Sequence, residues 1–475
     1  MAALSLAGCS DDENGNGGNG GNGGSGEGGN PSGGDLTEIL FEDGTQIGDG
    51  RQEFEIKGDY TLPKGTYLLK GWCYIADGAS LTLAPGTIIK GDKETKAALI
   101  VEPGGQLWAK GTQSEPIVFT SEMPAGNRRP GDWGGIILCG RGVNNKGTMQ
   151  IEGGPRTTHG GSDNADCSGA LSYVRCEFAG YPFKEDQEIN DSYEWFGGAV
   201  NAKYLISYHT WDDDFDTDNG FCGKVQFCLG VRQPRIADTS ASNGFESDNN
   251  GEGSATSPFT SCVFSNVTFV GPVGQDAAFS NTSDYITAGD MNPKNGSKLG
   301  QFQSAMQVRR NSHLNCFNSV AMGFPVGLIV ENDKGSQTQT AASEGTLKIQ
   351  NVYMAGMTVL GSDVNKSFED GFCDNGDKNS IDKSKESFSS TYFKSIASNK
   401  YFDAIADLKL SQPNSLQANP NYGPLSDSPL RGAASFTDPL VANGFDEVTY
   451  IGAFADENDG WMSGWTEFDP QNKAY

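Results

Sequence analysis

Gly78-Ala79-Ser80-Leu81-Thr82-Leu83 recurs 26 residues later as Gly104-Gly105-Gln106-Leu107-Trp108-Ala109, and the reading of the whole chain follows from that echo. Working outward, Thr87-Ile88-Ile89-Lys90 has a looser counterpart in Pro116-Ile117-Val118-Phe119. Asp218-Asn219-Gly220-Phe221 returns 24 residues on as Ser242-Asn243-Gly244-Phe245, with Phe196 another 25 residues upstream. Phe264-Ser265-Asn266-Val267-Thr268-Phe269, Phe317-Asn318-Ser319-Val320-Ala321-Met322 and Ile349-Gln350-Asn351-Val352-Tyr353-Met354 share one apolar-polar-polar-apolar-x-apolar shape. The first two lie 53 residues apart, which reads as two turns of about 26.

Such periods mean a stacked repeat. The segments inside each period are short, β-branched and bounded by Gly, Asn or Pro, so they are strands. Short strands at this period wind into a parallel β-helix, each coil hydrogen-bonded to the next about 4.8 Å away. Gly at the corners supplies positive φ and accounts for 65 Gly among 475 residues. The expected fold is all-β: a right-handed, single-stranded parallel β-helix with a C-terminal capping segment. A propeller would need blades of about 40–50 residues with a recurring aromatic signature, which the sequence lacks.

Lys and Arg number 34 against 61 Asp and Glu, so the formal charge is −27, and nucleic acid, which needs a basic surface, is excluded as a partner. No apolar run approaches a membrane-spanning length. Leu6-Ala7-Gly8-Cys9 has the form of a lipoprotein cleavage site, with Cys9 acylated and residues 1–8 the remnant of a signal peptide. Residues 9–35 are then a lipidated Cys and a Gly/Asn linker whose roughly 21 low-complexity residues reach roughly 25 Å. The β-helix is expected over 36–388 and the cap over 389–475.

The rungs at 75–120, the turn Gly131-Asp132-Trp133-Gly134-Gly135-Ile136, the 194–248 block and the C-terminal tail resemble a family of right-handed β-helix surface lipoproteins of Bacteroidota. Ser10-Asp11-Asp12-Glu13 is similar to the acidic export tag of such lipoproteins. The resemblance implies lipid anchoring at the outer membrane, facing the cell exterior. It implies no one activity, because the fold hosts lyases, hydrolases, adhesins and passive binders.

Trp211-Asp212-Asp213-Asp214-Phe215-Asp216-Thr217-Asp218 is the densest chemical feature. In an extended segment Asp212, Asp214, Asp216 and Asp218 share a face opposite Phe215. Asp191 would stack one coil below Asp216, and Glu246 and Asp248 one coil above. Crowded carboxylates take up a proton or a cation, and an all-oxygen set suits Ca²⁺. Asp191, Asp212, Asp214, Asp216 and Asp218 are therefore candidate Ca²⁺ ligands; a solvated turn and a pair of catalytic carboxylates are the alternatives. A lyase would pair Asp214 or Asp216 with a base such as Lys224 or Arg235. Arg232 also follows the block, and Arg309-Arg310 lies some three coils on. No two of the three His share a zinc-ligand spacing.

Flat rings stack on sugars, so Trp195, Trp211 and Tyr208, with Glu194 accepting from hydroxyls, are candidate glycan contacts. Trp461 and Trp465 read as packing near the end. Cys176, Cys228, Cys262 and Cys316 are expected inside as small hydrophobes, and Cys167 and Cys373 as the bridged pair. The functional expectation is a surface module that binds polysaccharide, working beside an outer-membrane glycan importer. A Ca²⁺-dependent polysaccharide lyase or glycoside hydrolase at the 191–248 face, and an adhesive or structural protein, are the competing readings.

Overall fold

A computed structural model describes residues 34–151, 154–181, 191–332, 334–335, 337–363, 386–417 and 420–475, together with the backbone of residues 4–5. Among these residues the chain winds as a parallel β-helix. An 11-stranded sheet, called here the long sheet, runs the length of the stack. Two further walls, of four and six strands, complete the N-terminal half, and a separate six-stranded sheet completes the C-terminal half.

The 26-residue echo is a true register: Ser80 pairs with Gln106 and Leu83 with Ala109. Period-2 alternation sets which side chains enter, as in Asp59–Leu62, where Tyr60 and Leu62 are buried while Asp59 and Thr61 are exposed. Two of the other echoes are displaced. Thr120 pairs with Lys90, so Thr87-Ile88-Ile89-Lys90 is offset by 30 residues rather than 29. Phe264 pairs with Cys316, not Phe317, and the two strands are adjacent rungs rather than two turns apart. The physical reason is an excursion within that coil, residues 271–303, which adds length without adding a rung. Likewise Phe196, Phe221 and Phe245 form no column. Tyr193, Phe215, Phe245 and Met306 do, and Phe221 instead stacks on Trp195 at 5.2 Å between centroids.

Five of the six strands of the C-terminal sheet are bent at one left-handed residue. Tyr204, Phe227, Asn266, Asn318 and Asn351 occupy that corner in successive coils, with φ between 49° and 61°. Asn tolerates this region because its amide bonds locally. Here the amides also form a ladder, Asn351 Nδ2 donating to Asn318 Oδ1 at 2.7 Å. Asn318 Oδ1 accepts from Ser435 N at 2.9 Å, and its Nδ2 donates to Ser435 O at 3.0 Å. Asn318→Ala is expected to lower stability by about 1–3 kcal/mol, read from the denaturant midpoint, because it orphans buried partners and strains the corner.

The C-terminal residues do more than cap. Residues 388–395 form a helix against the last coils, but 421–475 return along the outside of the stack as a strap. Asn266 Nδ2 donates to Tyr450 O at 2.9 Å, Tyr208 Oη to Phe468 O at 3.3 Å, and Arg128 Nη1 to Pro470 O at 2.8 Å. Lys90 Nζ, far down the N-terminal half, donates to Tyr475 O at 3.0 Å. The strap helps to bury all eight residues of Val263–Val270: Ile451, Ala453 and Phe454 cluster with Val270, Ala453 N donates to Thr268 Oγ1, and Phe436 and Val441 cluster with Val263.

The stack is interrupted between its halves. The N-terminal six-stranded wall ends at Val174–Cys176 and the C-terminal one begins at Ala202–Tyr208, with no pairing between them among the described residues. In the long sheet, Leu4–Ser5 lies between Gly135–Leu138 and Tyr193–Phe196.

Cys73, Cys139, Cys228, Cys262 and Cys316 are free and buried; Cys176 is free and partly buried. Cys167 is disulfide-bonded, its partner lying outside the described residues, as Cys9 and Cys373 both do.

Candidate functional site

The outward positions of the long sheet carry a row of acids. Glu194 pairs in register with Asp216, Asp216 with Glu246, and Glu246 with Gln307. At the corner before these strands Asp213 N donates to Asp191 Oδ1 at 2.8 Å, and Ser240 Oγ to Asp212 Oδ2 at 2.6 Å. Carboxylate oxygens of Asp191, Glu194 and Asp216 lie within 4.8 Å of one another, as do those of Asp191, Asp212 and Asp213. Asp191 thus reaches Asp216, but Glu194 is the residue stacked beneath it. Asp213 joins the cluster, and nothing in the alternation of the sequence singled it out.

Burial raises the pKa of these acids, and their mutual repulsion raises it further. Asp191, Asp212, Asp213 and Asp216 are all held well above the ordinary carboxylate value. For Asp191 burial is followed by Asp212, Glu194 and Asp213; for Asp216 it is followed by Asp191, Glu246 and Glu194. Asp212 Oδ1 is buried without a hydrogen-bond donor among the described residues. The set is all oxygen, so it fits a hard cation such as Ca²⁺ and gives zinc no nitrogen or sulfur ligand.

The basic residues sort differently from the sequence expectation. Lys224 opens a strand on the opposite wall and donates to Asn443 O of the strap at 2.6 Å, so it is not a base for this face. Arg235 donates to Tyr285 O at 3.2 Å and stacks on that ring. Arg232 is fully buried against Asp214. Arg309 is the cation that reaches the row, bound to Glu246 and, at 2.9 Å, to Asp248; Arg310 binds Asp248 at 2.6 Å. It sits one strand away because Ser247 pairs with Val308, although 60 residues separate Asp248 from Val308. The row therefore has an acidic end and a basic end, with Glu246 between.

Further expectations are corrected by burial or by position. Asp214 does not share the face of Asp216 and Asp218. The strand begins at Phe215, and Asp214 turns inward to accept from Ser207 Oγ at 2.6 Å. Trp195 is fully buried in the core and Trp211 is 4% exposed against Ile236 and Ala288, so neither ring can stack on a glycan at this face. Asp218 faces out beside Phe196, away from the cluster formed by Asp191, Glu194 and Asp216. Tyr208 lies on the other wall, beside the interruption.

The family model of the pectate-lyase-like β-helix domain matches residues 54–191 and 189–394. The chain belongs to that family. The two matches meet where the stack is interrupted and where the acidic row begins. Searches of curated proteins and of solved structures each returned no match.

Proposed function

We propose that this protein is a surface module that binds acidic polysaccharide through Ca²⁺ held by the carboxylate row of the long sheet. The observation that carries the reading is the packing of Asp191, Glu194 and Asp216 oxygens within 4.8 Å in a buried setting, an arrangement whose repulsion a hard cation relieves. A bound Ca²⁺ keeps coordination positions for carboxylates or hydroxyls of a uronate-bearing chain. Membership of a pectate-lyase-like family supports polysaccharide as the partner.

A second reading, a Ca²⁺-dependent lyase, rests on Arg309 at the other end of the row. The two carboxylates that hold this guanidinium keep it charged and engaged, which favours binding over turnover. Cys9 supplies the lipid in this reading, residues 9–35 the tether, and the body faces outward on a Bacteroidota-type outer membrane beside a glycan importer. Processing ahead of Cys9 would take Leu4–Ser5 out of the long sheet.

Calorimetric titration with polygalacturonate tests the proposal. Binding is expected with Ca²⁺, is abolished by chelator, and weakens by more than about tenfold in Asp216→Asn, since ligand charge sets Ca²⁺ affinity. Release of unsaturated ends, lost in Arg309→Ala, would replace the binding reading by the lyase one.

A further inference from the structure

The interruption between the two halves of the stack opens a cleft of about 770 Å³. Its two banks are strand edges, Val174–Cys176 on one side and Ala202–Tyr208 on the other, and the strap crosses over it. Glu177 N–H donates to Phe119 O, so strand alternation turns the backbone N–H and C=O groups of Val174 and Cys176 away from that neighbour and toward the cleft.

The rings at its mouth stand where rings are costly. Later coils put Asn266, Asn318 and Asn351 at the left-handed corner, while the two banks put Tyr173 (φ 48°) and Tyr204 (φ 61°) there and the coil after them Phe227 (φ 58°). A bulky residue in this region is an outlier, and such strain concentrates at functional positions. Tyr173 and Tyr204 are each 42% exposed, among the few large apolar side chains left on the surface. Each bank couples its corner ring to the strap: Tyr173 with Trp465 at 6.1 Å, Tyr204 with Trp461 at 5.3 Å.

The cations in the lining are already matched, and Asp469 is a lining carboxylate with no ion pair among the described residues, its oxygens accepting only from Asn472 Nδ2. Arg175 pairs with Glu177 at 3.1 Å, Lys203 with Asp446 at 2.8 Å and Glu467 with Lys473 at 2.9 Å. Burial also keeps His209 neutral. An acidic ligand would find no free cation and would meet the Asp469 carboxylate, whereas a neutral polyhydroxyl chain finds flat apolar rings and polar edges together.

We propose that this cleft is a second glycan site, taking a short neutral oligosaccharide by ring stacking and needing no cation. It is independent of the acidic row on the long sheet.

The test titrates the full chain in EDTA with cellohexaose, xylohexaose and mannohexaose, following tryptophan fluorescence and heat. At least one sugar is expected to saturate the wild type. Tyr204→Asn and Tyr173→Asn install the residue that the same corner carries in later coils, so both should still unfold cooperatively. Their affinity should fall about tenfold or more. Asp216→Asn should bind as wild type does. Absence of saturable binding to all three sugars, or Asn variants as tight as wild type, overturns the proposal. Calcium-dependent polygalacturonate binding could survive that result, so failure of the cleft and failure of the acidic row are separable.

Discussion

Arg232→Met is expected to lower the unfolding free energy by about 3–5 kcal/mol, because it leaves the Asp214 carboxylate buried without its counter-ion. The two side chains are fully buried, with Arg232 Nη1 2.9 Å from Asp214 Oδ1. The guanidinium also donates to Asn243 O at 3.3 Å and lies 5.3 Å above the Phe302 ring centroid, while Ser207 Oγ holds the same carboxylate oxygen. Arg232 Nε and Nη2 are buried without acceptors among the described residues, so the pair is imperfectly satisfied. The double variant Asp214→Leu with Arg232→Met should therefore recover much of the loss, as buried pairs replaced by apolar groups often do. A double-mutant cycle in denaturant measures both terms. Its functional consequence is that Asp214 variants act through stability and not at the site; a destabilised Asp214→Asn protein that is fully active while folded fits, and a stable inactive one does not.

In chelator, stability is expected to fall as pH rises from about 4 towards 8 through the acidic row. The sign follows from linkage. Asp191, Asp212, Asp213 and Asp216 have folded pKa values raised well above 3.8, so between those values the folded state holds protons that the unfolded chain has released. Their contribution is fully present below 3.8 and is lost as pH climbs through the raised folded values. Asp191→Asn with Asp216→Asn should consequently be more stable than wild type at pH 8 in chelator, and the gap should close toward pH 4. Added Ca²⁺ at about a hundred times its Kd should stabilise the wild type by about 2.7 kcal/mol and leave the double variant unmoved. Thermal unfolding with and without the ion checks all three statements. Wild type and variant moving together with pH would show that the row does not titrate in the folded state.

The sequence carried the coil because regular coils repeat in length, and where they do, as at 78–83 and 104–109, pairing follows the echo residue for residue. Where loops lengthen a coil, similarity of local shape survives but register does not, which is why Phe264 meets Cys316. The acidic region was visible as composition. Which acids converge was not, because Asp214 leaves the alternation at a strand start that only tertiary packing defines. Trp195 and Trp211 stand beside acids in sequence, yet coil closure puts their rings inside. Arg309 was hidden by the excursion ahead of it. Trp461 and Trp465 reach the interruption because the last residues run back along the stack, and no local pattern encodes a return path.

Titration of the chelated wild-type protein with Ca²⁺ at two pH values tests the central claim most directly. One saturable site is predicted, with affinity rising as pH rises, protons released on binding, and no heat in the Asp191→Asn/Asp216→Asn protein. Equal isotherms for wild type and double variant, or no heat from either, would contradict it.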